Sequence, residues 1–205
     1  MDLINQKTRC LVATFLLLWV AGLNAQERYT NQTAGISLVP PAGWQVVSMQ
    51  DVIENRGKLR LPDSQLQAGI QRATAPLFVF AKYSEPFTGI NPTVQIVLRP
   101  KPASLGNSPT GILQATISTL KRAFPDYRQV EPVRSATVGG KAAAYMKAAY
   151  SLPTASGRTY PVMARTWLVP RGGFMFLIGM SGATEGPDVA DAEFSRVLDT
   201  IVIDD

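Results

Sequence analysis

The second half of this chain is a relay of strand-like segments joined by glycine turns, and that pattern leaves few folds open. Residues 134–138 run into Gly139-Gly140, and a long segment, 141–152, follows. The stretch 153–157 turns the chain, 160–169 returns it, and Arg171-Gly172-Gly173 turns it again into 174–180. Glycine pairs supply the positive φ that tight hairpin turns need, so successive segments are expected to pair antiparallel. The long segment carries Ala142, Ala144, Met146 and Ala148 at even positions and Lys141 and Lys147 at odd ones. That alternation predicts one buried face and one partly wet face. Residues 174–180 are apolar on both sides, with Phe174, Phe176 and Ile178 on one and Met175 and Leu177 on the other. Such a strand belongs at the centre of a sheet, covered from above and below.

Two helices are expected around this meander. Ser108 is placed to cap the first, and Pro109 suits its first position, where an N–H would have no partner. Leu113, Ile117, Leu120 and Phe124 then line one face, Lys121 and Arg122 suit the negative end, and Pro125 stops it. Pro187-Asp188 are expected to open the second helix, whose stripe is Ala190, Phe194, Val197, Leu198 and Ile201. Nearer the start, short strands at 29–31 and 36–39 flank a turn at Ala34-Gly35. Pro40-Pro41-Ala42-Gly43 break the second, and Trp44-Gln45-Val46-Val47 resume as strand. Residues 50–55 read as a helical turn, and 63–74 as a short helix capped by Asp63 or Ser64. Residues 77–81 and 93–98 read as strands around an ordered loop, 84–92. Adjacent antiparallel strands with segregated helices predict an α+β fold: a curved antiparallel sheet of six to seven strands with helices packed on its faces.

The chain has no histidine, and its one cysteine is Cys10. Triads built on imidazole, Cys–His nucleophiles and the ordinary zinc ligand sets are thereby excluded. Residues 1–25 read as a secretory leader: Lys7 and Arg9 against Asp2, then an uncharged run from Cys10 to Leu23 that is too short to span a membrane. Cleavage is expected after Ala25, with Gly22 as the competing site and an uncleaved anchor as the competing reading. Cys10 begins the apolar run, which argues against a lipoprotein. A periplasmic or secreted location follows, with one α+β domain in 26–205 and no membrane span in the mature form. The net charge is +5, of which the leader contributes one unit, and the basic residues are scattered. Nucleic acid is therefore not an expected partner. Asn31-Gln32-Thr33 matches a glycosylation acceptor but matters only in a eukaryotic secretory route.

The candidate chemistry is sparse. Trp44 either lines a ligand groove or, the favoured reading, packs on the core. Gly139-Gly140-Lys141 lacks the following helix that a phosphate cradle needs, and so does Arg171-Gly172-Gly173; both read as hairpin turns. Asp188 and Asp191, with Glu185, sit where a cation is conceivable, but acids in a first helical turn serve the helix's positive end. Ser118 and Lys121 have Ser-x-x-Lys spacing late in a helix, the wrong end for a nucleophile. Catalytic residues, metal and cofactor are therefore expected to be none, and no binding residue is assigned.

Three stretches together resemble a known family. They are Tyr29 with Gly35-Ile36-Ser37-Leu38-Val39-Pro40-Pro41-Ala42-Gly43-Trp44, the middle helix leading into the Gly139-Gly140 hairpin, and the 174–181 strand followed by Phe194, Val197, Leu198 and Ile201. The chain is similar to the Mog1/PsbP-like superfamily, including its small exported bacterial domains. That resemblance implies a curved antiparallel sheet with helices on its faces, and members that mostly act without chemistry of their own. Photosynthetic members bind photosystem II, some with metal ions through histidine, which this chain lacks. Nuclear-transport members act on a small GTPase, which a secretory leader makes implausible here. The resulting expectation is an exported non-catalytic domain binding a protein or cell-envelope partner in an accessory or assembly role. The alternative is a small-ligand carrier or histidine-free hydrolase with a pocket between sheet and helices.

Overall fold

A computed structural model describes residues 26–204 apart from Asp63 and Pro187. The expected leader, the Asp63 cap and the Pro187 helix start therefore lie outside the described residues. The order of elements is β1 (Tyr29–Asn31), β2 (Ile36–Leu38), β3 (Gln45–Val46), α1 (Met49–Lys58), α2 (Ser64–Gln71), β4 (Phe78–Ala81) and β5 (Thr93–Pro100). A single 3-10 turn precedes α3 (Pro109–Ala123), and β6 (Arg128–Val138), β7 (Lys141–Pro153), β8 (Thr159–Arg171), β9 (Phe174–Ala183), α4 (Asp191–Thr200) and β10 (Val202–Ile203) complete the chain.

Seven of these strands form one antiparallel sheet in the order β3-β4-β5-β9-β8-β7-β6. This is the expected α+β architecture, with β9 central as its two apolar faces predict. The glycine hairpins hold: Gly139 and Gly140 have φ of 55° and 76°, and Gly172 has 56°. A separate small sheet, β1-β2-β10, was not legible from the pattern and ties the two ends of the described chain together.

Alternation sorts the main sheet's side chains onto two faces. One carries Phe80, Val94, Ile96, Tyr145, Trp167, Val169, Phe176, Ile178 and Met180, and α4 lies over it with Phe194, Val197 and Ile201. The other carries Ala144, Met146, Leu168 and Met175 beneath Ile112, Leu113 and Ile117 of α3. The long strand β7 is thus covered on both faces through its middle, because α3 and the α4 layer clasp it, and the expected wet face is confined to its ends. Ala142, read as buried, is exposed. Phe174 is 51% exposed because it sits at the hairpin end, outside both layers.

Other boundaries move for identifiable reasons. Strand β6 begins at Arg128 rather than residue 134, since Pro132 masks it; proline is tolerated there on an edge strand whose register shifts on both sides of Glu131. The helical turn at 50–55 is the full helix α1, started by Ser48, whose Oγ accepts from Asp51 N at 3.1 Å and donates to the Asp51 carboxylate at 2.6 Å. Helix α3 starts as expected, with Ser108 Oγ accepting from Gly111 N at 3.2 Å, but Phe124 lies just past its end and stacks on Tyr150. Helix α4 begins at Asp191, so Asp188 precedes it.

Candidate sheet-face binding trough

The interior beneath α3 and α4 is filled by side chains, and the recesses of the molecule are open clefts on its surface. Three of them run together along the α3 face of the sheet, in the space between α3 and α1. Their volumes are about 500, 310 and 540 Å³, and all three share Thr93. Strand pairing explains the trough. Thr93 of β5 pairs with Ser181 of β9, which pairs with Ala164 of β8. One step along, Gln95 pairs with Gly179, which pairs with Thr166. Two consecutive rows across the three central strands are therefore small or polar. A further step along, the row becomes Val97, Leu177 and Leu168; α3 covers Leu168 and Leu177, while along β5 the cleft continues past Val97 to Arg99.

The expectation that β9 is apolar and covered on both faces holds for Met175–Ile178 only. From Gly179 onward this face is uncovered. A Cβ added at Gly179 would meet nothing within 4 Å, so the floor drops at its centre.

The walls are fixed. Tyr150 stacks on Phe124 with ring centres 4.1 Å apart. The loop between β4 and β5 is clipped by Asn91, whose Oδ1 accepts from Tyr83 N at 3.1 Å and whose Nδ2 donates to Tyr83 O at 2.8 Å. Phe87 stacks on Tyr83 at 4.7 Å in the same loop. Arg99 lines one end. It is partly buried, and among the described residues it has no acidic or hydrogen-bonding partner.

The residues singled out from the sequence fall elsewhere. Trp44 packs edge-on against Phe194, ring centres 5.9 Å apart, and also lines a cleft of about 360 Å³ beside α4. Within that cleft Lys82 already pairs with Glu193 at 2.9 Å. Asp188 accepts a hydrogen bond from Tyr83 Oη at 2.9 Å. Glu185 is exposed, and among the described residues no group of acids is arranged to hold a metal ion. Ser118 Oγ donates to Ala115 O at 3.4 Å within α3, and Lys121 is exposed at that helix's end. Arg171 is bound to the Ala34 carbonyl and clamps the first hairpin.

Three basic residues scattered in sequence, Arg134, Lys147 and Arg165, are brought together in one place. Arg165, with its side chain 9% exposed, pairs with Asp191, and Lys147 lies 3.8 Å from Asp191 and 4.0 Å from Glu131. Arg134 lies 3.7 Å from Glu131, and Tyr145 Oη donates to Glu131 at 3.2 Å. This network holds the first turn of α4 on the sheet, and Asp191 also suits that helix's positive end. Helix and strand residues far apart in sequence meet here, so no local motif announces it.

Burial, reinforced by the Glu131 carboxylate, pushes the Tyr145 phenol up to about 12 from an ordinary 10.0. The unfolded chain therefore ionises this tyrosine first. Its contribution to stability is complete below about pH 10 and is lost as pH rises toward 12. Urea denaturation across that window should show the parent losing more stability than a Tyr145→Phe variant; equal losses would contradict the assignment.

No protein-family model and no curated protein matches the chain. Solved structures do. The solution structure of a cyanobacterial PsbP, CyanoP from Synechocystis, matches at a TM-score of 0.55 and 12% identity, over 89% of this chain and 96% of that one. LpqN, described as involved in cell envelope biogenesis of Mycobacterium tuberculosis, matches at a TM-score of 0.49 and 18% identity, over 83% of each chain. A protein from Bacteroides thetaiotaomicron matches at 0.45 and 15%, over 87% of this chain and 48% of that one.

Proposed function

Because the chain has the PsbP-like fold, we propose that it is an exported accessory domain that binds a protein or cell-envelope partner, and that the sheet-face trough is the surface it uses. In this reading residues 1–25 are the export leader and 26–205 form one folded unit in the periplasm or outside the cell. Among the described residues no helix is long and apolar enough to cross a membrane.

The observation that carries the proposal is the run of Thr93, Gln95, Gly179, Ser181, Ala164 and Thr166 on strands that are otherwise core. The opposite face of these same strands bears Val94, Ile96, Ile178 and Met180, each fully buried. A centrally placed strand with one packed face and one shallow, mixed face is shaped for contact with something outside the molecule. The trough's polar groups suit recognition rather than reaction. Thr93 Oγ1 donates to the Asn91 carbonyl at 2.8 Å. Ser181 and Thr166 meet no carboxylate or amine among the described residues, so no base is placed to activate either hydroxyl.

Gly179 offers a clean test. A Gly179→Trp variant projects an indole into the trough from a position where an added Cβ meets no atom within 4 Å. It is expected to melt within about 3 °C of the parent, an effect below about 1 kcal/mol for a domain this size, and to lose crosslinked partner in affinity capture from the native compartment. Equal capture by both proteins would sink the assignment.

The cleft beside Trp44 favours the second reading, a small-ligand carrier, since its volume suits a small molecule. It would be marked by ligand-dependent change in Trp44 fluorescence that survives Gly179→Trp.

A further inference from the structure

Resting on the trough as the binding surface, we infer that its occupant is an amphipathic α-helix of the partner protein, carrying an acidic residue that pairs with Arg99.

Dimensions come first. The floor is three adjacent strands, β5, β9 and β8. At about 4.8 Å between neighbours, the outer two axes lie roughly 10 Å apart. That matches the roughly 10 Å diameter of a helix with its side chains. A single extended strand would leave most of that width empty, and a second sheet would need more. Along β5 the trough runs from Thr93 to Arg99, about 20 Å at roughly 3.3 Å per residue. A helix lying along it would span the trough with about 13 residues, at roughly 1.5 Å each, and turn one face of them to the floor.

The molecule already shows how this face receives a helix. Next to the trough, α3 lays Ile112, Leu113 and Ile117 onto Ala144, Met146 and Leu168. Ala144 lets that helix approach, and the trough presents small residues further along β8 and β9: Ala164, Gly179 and Ser181. Its hydroxyl and amide groups differ from the α3 seat. They keep the empty face wet when alone and tolerate Ala, Ser or Thr on an incoming helix.

Charge selects among helices. Arg99 is partly buried at the end of the trough with no partner among the described residues. A guanidinium held partly away from water without an anion is costly, and a carboxylate from the occupant relieves that cost with a charge-assisted hydrogen bond. The chain's own apolar run, Cys10 to Leu23, contains no acid and does not meet this requirement.

The test places a photo-crosslinking residue at Ser181 in the full chain, expressed in its own host, and identifies the attached peptide by mass spectrometry. The expected product is a peptide from another protein with helical apolar spacing and an acid about three to four turns from the attachment point, since Ser181 pairs with Thr93 at the far end of the trough from Arg99. Arg99→Glu should lower its yield about tenfold, and Arg99→Lys should retain most of it. A product from an extended segment, from residues 1–25, from a second copy of this chain or from lipid overturns the helix inference while leaving the trough as a binding surface. An unchanged yield with Arg99→Glu overturns the charge pairing. Absence of any product at Ser181 overturns both the inference and the reading beneath it.

Discussion

Replacing Phe194 with alanine is expected to cost about 3–5 kcal/mol, the range for removing a fully buried aromatic. Phe194 is 2% exposed and stands at the junction of three parts of the molecule. Trp44 packs edge-on against it, the Arg165 guanidinium lies 5.4 Å from its ring centre, and Gly182 of β9 would bring a Cβ to within 3.8 Å of its tip. Its loss therefore opens a cavity between α4 and the sheet and frees the Trp44 side chain. For a domain of this length each kcal/mol moves Tm by about 2–4 °C, so a drop of roughly 10 °C is expected in a thermal melt, with red-shifted Trp44 emission. A drop under about 3 °C would mean that α4 does not hold the layer as described.

Gly139→Val is the second large effect. The residue has φ of 55°, where a side chain costs about 1–2 kcal/mol and a β-branched one more. Space adds to conformation: a Cβ would lie 3.0 Å from Ile203 N and 3.1 Å from Ile201 O, both backbone atoms. The substitution must push β10 away from the β6–β7 hairpin, which opens the small sheet. A loss of about 3 kcal/mol in urea denaturation is expected, with faster amide exchange at Val202 and Ile203. Gly140→Ala is the comparison, since φ is 76° there but nothing lies within 4 Å. It should lose only the conformational part. Equal losses at the two positions would contradict the packing of β10 on Gly139.

These two residues also mark what the sequence makes legible. Phe194 is readable because helical spacing places it with Val197 and Ile201, and the glycine pair is readable as a hairpin. The contact between Gly139 and β10 is not, because it depends on where residues sixty positions later come to rest. The same division holds elsewhere. The antiparallel meander, the central place of β9 and the caps of α3 follow from local pattern. Pro132 hides half of β6, since proline argues against a strand until the strand is known to lie at an edge. The Ser48–Asp51 capping pair was a readable signal for α1 that apolar spacing alone did not bring out.

The trough lies furthest from the sequence. Gln95, Gly179, Thr166 and Ser181 are unremarkable in their own segments and acquire meaning only when register aligns them. One faint signal existed: the apolar run of β9 breaks at Gly179, where the sheet's second face loses its cover. The charged cluster of Arg165, Lys147, Asp191 and Glu131 is equally silent in sequence, its members coming from three strands and a helix.

The account stands or falls on whether this open face is where the protein meets its partner. Affinity capture with crosslinking from the native compartment, run in parallel on the parent and on Gly179→Trp of matched thermal stability, decides it. The predicted result is a reproducible partner with the parent and none with the variant. Recovery of the same partner in the same yield from both would place binding elsewhere on the molecule.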